Sequence, residues 1–116
     1  MSAEKMLEKT NRINLLFDFY QNLLTEKQQT YLKFYFQDDY SLGEIAEQFQ
    51  ISRQAIYEHI KRAEQVLDQY ESKLHLVSNY IKRNELINQL NDYILDLNDN
   101  DQMLDIIQKV RKIDEI

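Results

Sequence analysis

An all-α fold is predicted by three features of the sequence: almost no turn-forming glycine or proline, apolar residues recurring every third or fourth position, and short polar runs patterned like helix caps. Gly occurs once and Pro not at all in 116 residues. Those two residues supply the turns of sheet proteins and irregular loops, so this chain must turn by other means. Helices joined by short polar turns meet that need. The length suits one domain built on one core.

The first segment places Met6, Ile13, Leu16, Phe17 and Tyr20 at mixed three- and four-residue spacing, with Leu23 and Leu24 closing the face. That pattern predicts an amphipathic helix of about five turns. Thr25-Glu26-Lys27-Gln28 has the form of a capping box, in which the Thr hydroxyl takes an orphan N–H and the Gln reaches back. The helix it opens carries Tyr31, Leu32, Phe34, Tyr35 and Phe36 and stops at Asp38-Asp39-Tyr40. Ser41-Leu42-Gly43-Glu44 is a second capping box and opens a short helix with Ile45, Ala46 and Phe49. After a turn at Gln50-Ile51, Ser52 is the N-cap of a fourth helix lined by Ile56, Ile60, Ala63 and Leu67.

Apolar spacing continues through Tyr70, Leu74, Val77 and Ile81, then resumes in a different phase at Ile87, Leu90, Ile94 and Leu97. Spacing of this kind fits one long helix or two helices broken near Lys82-Arg83-Asn84, and the phase change favours a break or bend there. Asn98-Asp99-Asn100-Asp101 reads as a turn and cap before a last helix bearing Met103, Leu104, Ile107, Val110 and Ile113.

Residues 41–60 have the layout of a helix-turn-helix. Ala46 is the small residue at which the second helix can cross the first, and Ile45, Phe49, Ile51 and Ile56 tie the pair together. Polar residues at the start of the second helix then face outward. Ser52, Arg53, Gln54, Tyr57, Lys61 and Arg62 are therefore the candidate nucleic-acid-binding residues. Arg53 suits bidentate contact to guanine and Gln54 to adenine, whereas the alternative is an ordinary solvated helix face. Gln50 stands where such turns usually have Gly, so it must adopt a left-handed conformation or close the turn differently.

This stretch resembles region 4 of the sigma-70 family, on Glu44-Ile45-Ala46-Glu47 and Ser52-Arg53-Gln54-Ala55-Ile56 and on the opening Leu24-Thr25-Glu26-Lys27-Gln28-Gln29. The resemblance covers about residues 24–70. Over nearly the whole chain the sequence is more similar to the small YlxM-type proteins, on the run Ser52 to Arg62 and on Asn11-Arg12-Ile13-Asn14-Leu15-Leu16-Phe17-Asp18-Phe19-Tyr20. It implies a core of three or four helices with additional C-terminal helices. One domain is expected over 1–116, with the helix-turn-helix at 41–69 and a helical extension at 70–116. The genes of that family tend to lie beside those of the signal recognition particle GTPase and its receptor. The resemblance thus implies a regulatory protein whose partner is DNA or, alternatively, the RNA or protein of that particle.

Charge weighs on that choice. The formal net charge is −6, with residues 25–70 and 71–116 each at −3, yet residues 52–63 set Arg53, Lys61 and Arg62 against Glu58 alone. A basic patch in an acidic protein predicts weak binding of bulk DNA, because nonspecific affinity comes largely from phosphate neutralisation. The absence of Cys excludes a disulfide framework, a thiolate metal site and a cysteine nucleophile. His59 and His75 lie far apart without carboxylates at metal-ligand spacing, so no metal is expected. Asp99, Asp101 and Asp105 lack the Gly and terminal Glu of a calcium loop. Ser41 and Ser52 are caps rather than nucleophiles, and Gly43 alone makes no phosphate loop.

No enzyme and no cofactor are therefore expected. The charged first residues predict neither a signal peptide nor an anchor, and no apolar run is long enough to span a bilayer, so a cytoplasmic protein is expected. The aromatic set Phe17, Phe19, Tyr20, Tyr31, Phe34, Tyr35, Phe36 and Tyr40 could stack on single-stranded bases, but its helical spacing makes it chiefly core. The C-terminal apolar stripe exceeds what a small domain needs, which predicts a homodimer through the C-terminal helices.

Overall fold

In the computed structural model the described residues, 2–96 and 101–113, form six α-helices, with no strand among them. They are α1 (Ala3–Tyr20), α2 (Glu26–Leu32), α3 (Leu42–Phe49), α4 (Arg53–Leu74), α5 (Leu76–Leu95) and α6 (Asp101–Ile113). The expected turn at Asn98-Asp99-Asn100 lies outside the described residues. The chain divides into two compact units, one ending at Leu74 and the other beginning at His75.

The first unit is built on α4. Its stripe of Ile56, Ile60, Ala63 and Leu67 is at most 4% exposed and meets the buried faces of α1, α2 and α3. From α1 come Ile13, Leu16, Phe17 and Tyr20, whereas Met6, expected on the same face, is 57% exposed. Both capping boxes form. Thr25 Oγ1 accepts from the Gln28 N–H while Gln28 Oε1 accepts from the Thr25 N–H, and Ser41 and Glu44 repeat the arrangement. Each box satisfies two N–H groups that a helix start would otherwise leave unpaired.

Two departures from regular helix punctuate the unit. Gln21–Leu23 is a 3₁₀ turn, and the Gln29 amide donates to the Gln21 and Leu24 carbonyls to hold it against α2. Directly after α2, Lys33–Gln37 widens into a π turn, closed by the Asp38 N–H donating to the Lys33 carbonyl. The extra residue per turn spreads three consecutive aromatics. Phe36 is buried, and Phe34 packs on Phe49 of α3 and on Tyr40, with ring centroids 5.7 and 4.8 Å apart. Tyr31 bridges to the next helices, contacting both Phe49 and His59 at 5.2 Å. The aromatic set is thus packed within the unit, as its spacing predicts.

Near the end of α4, Glu71 is buried and accepts a hydrogen bond from the Tyr20 hydroxyl at 2.6 Å. A partner of this kind is what makes a buried carboxylate tolerable.

The second unit is an antiparallel hairpin of α5 and α6, with Ile87, Ile94 and Ile107 buried and Leu104 packed beside them. Arg111 donates to the Asn88 side chain at 2.6 Å across the pair. The predicted break at Lys82-Arg83-Asn84 is not there: α5 is continuous through those residues, and the helix interruption falls at His75, which is left-handed with φ 55°. The change of phase has another cause. Beyond residue 81 the helix carries two apolar lines, Ile87 and Ile94 toward α6 and Leu86, Leu90 and Tyr93 exposed, so the pattern shifts without a break in the helix.

Candidate nucleic-acid interface

The turn between α3 and α4 forms around Gln50. Its φ and ψ of 56° and 43° are left-handed, its N–H donates to the Glu47 carbonyl at 3.4 Å, and the Ile51 N–H donates to the Ala46 carbonyl at 3.1 Å. That pair of bonds is the Schellman closure, achieved here without glycine. Ile45 and Ile56 are 0% exposed and Ala46 is 6% exposed, so the crossing rests on these three, while Phe49 and Ile51 remain partly open to solvent. Ser52 caps α4, its Oγ accepting from the Ala55 N–H at 3.0 Å.

Ser52, Arg53, Gln54, Tyr57 and Arg62 are all exposed, and Lys61 is half-buried. Arg53 lies toward the start of α3, its Nε 3.6 Å from the position a Cβ on Gly43 would occupy. It makes no ion pair among the described residues. Gln54 and Arg62 both turn to Glu58, at 3.4 and 3.9 Å. Lys61 reaches Glu64 at 3.4 Å and stands 5.6 Å from the centre of the Tyr57 ring. The six residues therefore fall into three groups: a capping Ser, an unpaired Arg, and two short ladders that include acidic members.

The ladder through Glu64 extends to α1. Glu64 is 7% exposed, and Lys9 Nζ lies 3.0 Å from its Oε1, close enough for an ion pair though not aligned as a hydrogen bond. Contact with Glu64 holds the Lys9 ammonium above its ordinary pKa, overcoming the partial burial that would lower it. These groups border a cavity of about 500 Å³ whose other walls include Tyr35, Tyr40, Tyr57 and Ile60.

The pairing of Arg62 with Glu58 and of Lys61 with Glu64 was not anticipated from the sequence, although their four- and three-residue helical spacing carries the signal. Lys9 has no such signal, because it comes from a helix distant in sequence. His59 packs against Tyr31 with the rings tilted at 45°, and no three His, Cys, Asp or Glu side chains cluster as metal ligands among the described residues. Asp105 pairs with Lys109 at 3.0 Å. No helix among the described residues is long and apolar enough to cross a membrane.

Fold and turn geometry together define a helix-turn-helix protein. A family model described as "Putative helix-turn-helix protein, YlxM / p13 like" matches residues 7–110. The chain belongs to this family, UPF0122. It is 52% identical over 110 residues to a UPF0122 protein of Geobacillus sp. (strain WCH70), covering 94% of this chain and 100% of that one. Similar relatives are YofM of Lactococcus lactis subsp. lactis (strain IL1403), 53% identical over 94% of this chain and 96% of its own, and a UPF0122 protein of Listeria monocytogenes serotype 4b (strain CLIP80459), 54% identical over 94% and 100%.

Proposed function

We propose that the protein is a non-enzymatic regulatory protein that docks the first two turns of α4 on nucleic acid, with DNA as the ligand. The observation that carries this reading is the exposed set Arg53, Gln54 and Tyr57 just after a capped helix start, with Arg53 free of any ion pair among the described residues. An uncommitted guanidinium there can reach a base edge or a phosphate without first breaking a contact. Lys61 and Arg62, further along, are backbone contacts. Titration of the full chain with duplex DNA at low salt tests the reading, and an absence of binding overturns it.

A second reading has its own support. Lys61 and Arg62 are already paired with Glu64 and Glu58, and the net charge is −6, so the surface is poorer in free positive charge than its Lys and Arg suggest. This favours a structured RNA or protein partner, the signal recognition particle being the one implied by the likeness to YlxM-type proteins. Retention of that particle's GTPase after nuclease treatment, with no binding to duplex DNA, would decide for it.

A further inference from the structure

Exposed apolar residues are concentrated in the α5–α6 hairpin. In α5, Leu86 and Tyr93 immediately precede the core residues Ile87 and Ile94, and Leu90 lies between them. In α6, Met103 and Ile106 immediately precede Leu104 and Ile107, and Val110 and Ile113 continue the line at spacings of four and three. One residue back along an α-helix is a rotation of about 100°. Both exposed lines are therefore offset from their core lines in the same screw sense. For two antiparallel helices that face each other, a local two-fold axis relates equal offsets and brings both lines to one side of the hairpin.

These seven residues are 39 to 81% exposed and include no charge. Among the described residues the cluster between α5 and α6 has three buried side chains, Ile87, Ile94 and Ile107, a small core for two helices in water. The apolar face exposes on the order of 800 Å², the share one partner contributes to a standard interface. Residues 75–116 carry five Lys and Arg against eight Asp and Glu, which opposes docking on an anionic lipid surface or on nucleic acid. The face is itself arranged about a two-fold axis, so a second copy laid across it offers a matching pair of apolar lines without a new surface.

We infer that this face closes on the same face of a second copy, giving a homodimer whose interface is a four-helix cluster of two α5 and two α6 helices. The dimer does not depend on what α4 binds. Sedimentation of the full chain at micromolar concentration is expected to give twice the 14.1 kDa of one copy. Leu90→Glu combined with Val110→Glu should convert it to a monomer. Should that variant lose its helical circular dichroism, single thiols decide instead, since the chain has no cysteine. Ile106→Cys should then oxidise to a linked dimer faster than Ser72→Cys on α4. A wild-type monomer across the micromolar range, a double variant that remains a dimer, equal linking at the two thiols, or a monomer that retains a protein of different sequence would overturn the inference.

Discussion

Lys9 Nζ and Glu64 Oε1 meet at 3.0 Å, so the first helix is joined by charge to the flank of the helix that carries Arg53, Tyr57 and Lys61. Glu64 is buried and shared with Lys61 at 3.4 Å, which makes it the point where the helix core and the candidate interface touch. Burial makes such a carboxylate costly unless its countercharges stay in place.

The raised pKa of Lys9 fixes the sign of a pH effect. A lysine whose folded pKa exceeds its unfolded value contributes fully below the ordinary 10.5, and the contribution fades as pH rises through the folded value. Lys9→Met should therefore melt below wild type at neutral pH, with the gap closing above pH 10.5. A gap that stays constant through that range would show that the contact carries no stability.

At the helix-turn-helix corner, Gln50 is left-handed, a conformation that costs a side-chain-bearing residue roughly 1–2 kcal/mol. Gln50→Gly should raise stability by about 0.5–1 kcal/mol after glycine's greater unfolded-state freedom is set against the relief. Chemical denaturation gives the readout. An unchanged or lower midpoint would mean that the turn relaxes elsewhere.

Ala46 is 6% exposed at the crossing of α3 and α4. Ala46→Leu adds methylenes where two backbones approach, and overpacking of this kind costs roughly 1–3 kcal/mol. Thermal melting of the purified variant should fall accordingly.

Glu58 engages both Gln54 and Arg62 at the exposed surface of α4. Glu58→Gln should strengthen binding of duplex DNA and steepen its salt dependence, because one more cation becomes available to phosphate. Weaker binding would place Glu58 among the recognising groups.

Arg53→Ala should weaken binding by about 1–3 kcal/mol for a preferred sequence if the guanidinium reads a base edge. A uniform loss with a shallower salt dependence would make it a phosphate contact instead. Lys61→Ala with Arg62→Ala should show that second behaviour. Anisotropy titrations at several salt concentrations separate the two outcomes.

Local chemistry was the legible part of this fold. Thr25 with Gln28, Ser41 with Glu44 and the capping Ser52 mark helix starts by residue type and spacing alone, and each forms as expected. The corner at Gln50 was legible as a choice, and the backbone takes the left-handed branch. What the sequence hid depends on tertiary packing. A left-handed His75 has no local signature, and exposed Leu86, Leu90 and Tyr93 mimic a broken helix in a one-dimensional pattern. The same limit applies at the candidate interface: six outward residues could be named, but only the fold shows that Lys61 shares its carboxylate with Lys9.

The π turn at Lys33–Gln37 amounts to a one-residue insertion absorbed by widening the helix. Removing one residue there would restore regular i→i+4 bonding and keep the residues beyond in the same orientation relative to α2, yet it would compress five positions of the turn to four and so change the side on which each of its aromatics sits. The seat of Phe34 between Tyr40 and Phe49 depends on that register. In this segment, then, chain length sets which aromatic faces the helix-turn-helix. Single-residue deletions from 33 to 37 should be less tolerated than most point substitutions at the same positions, even though they make the helix more regular.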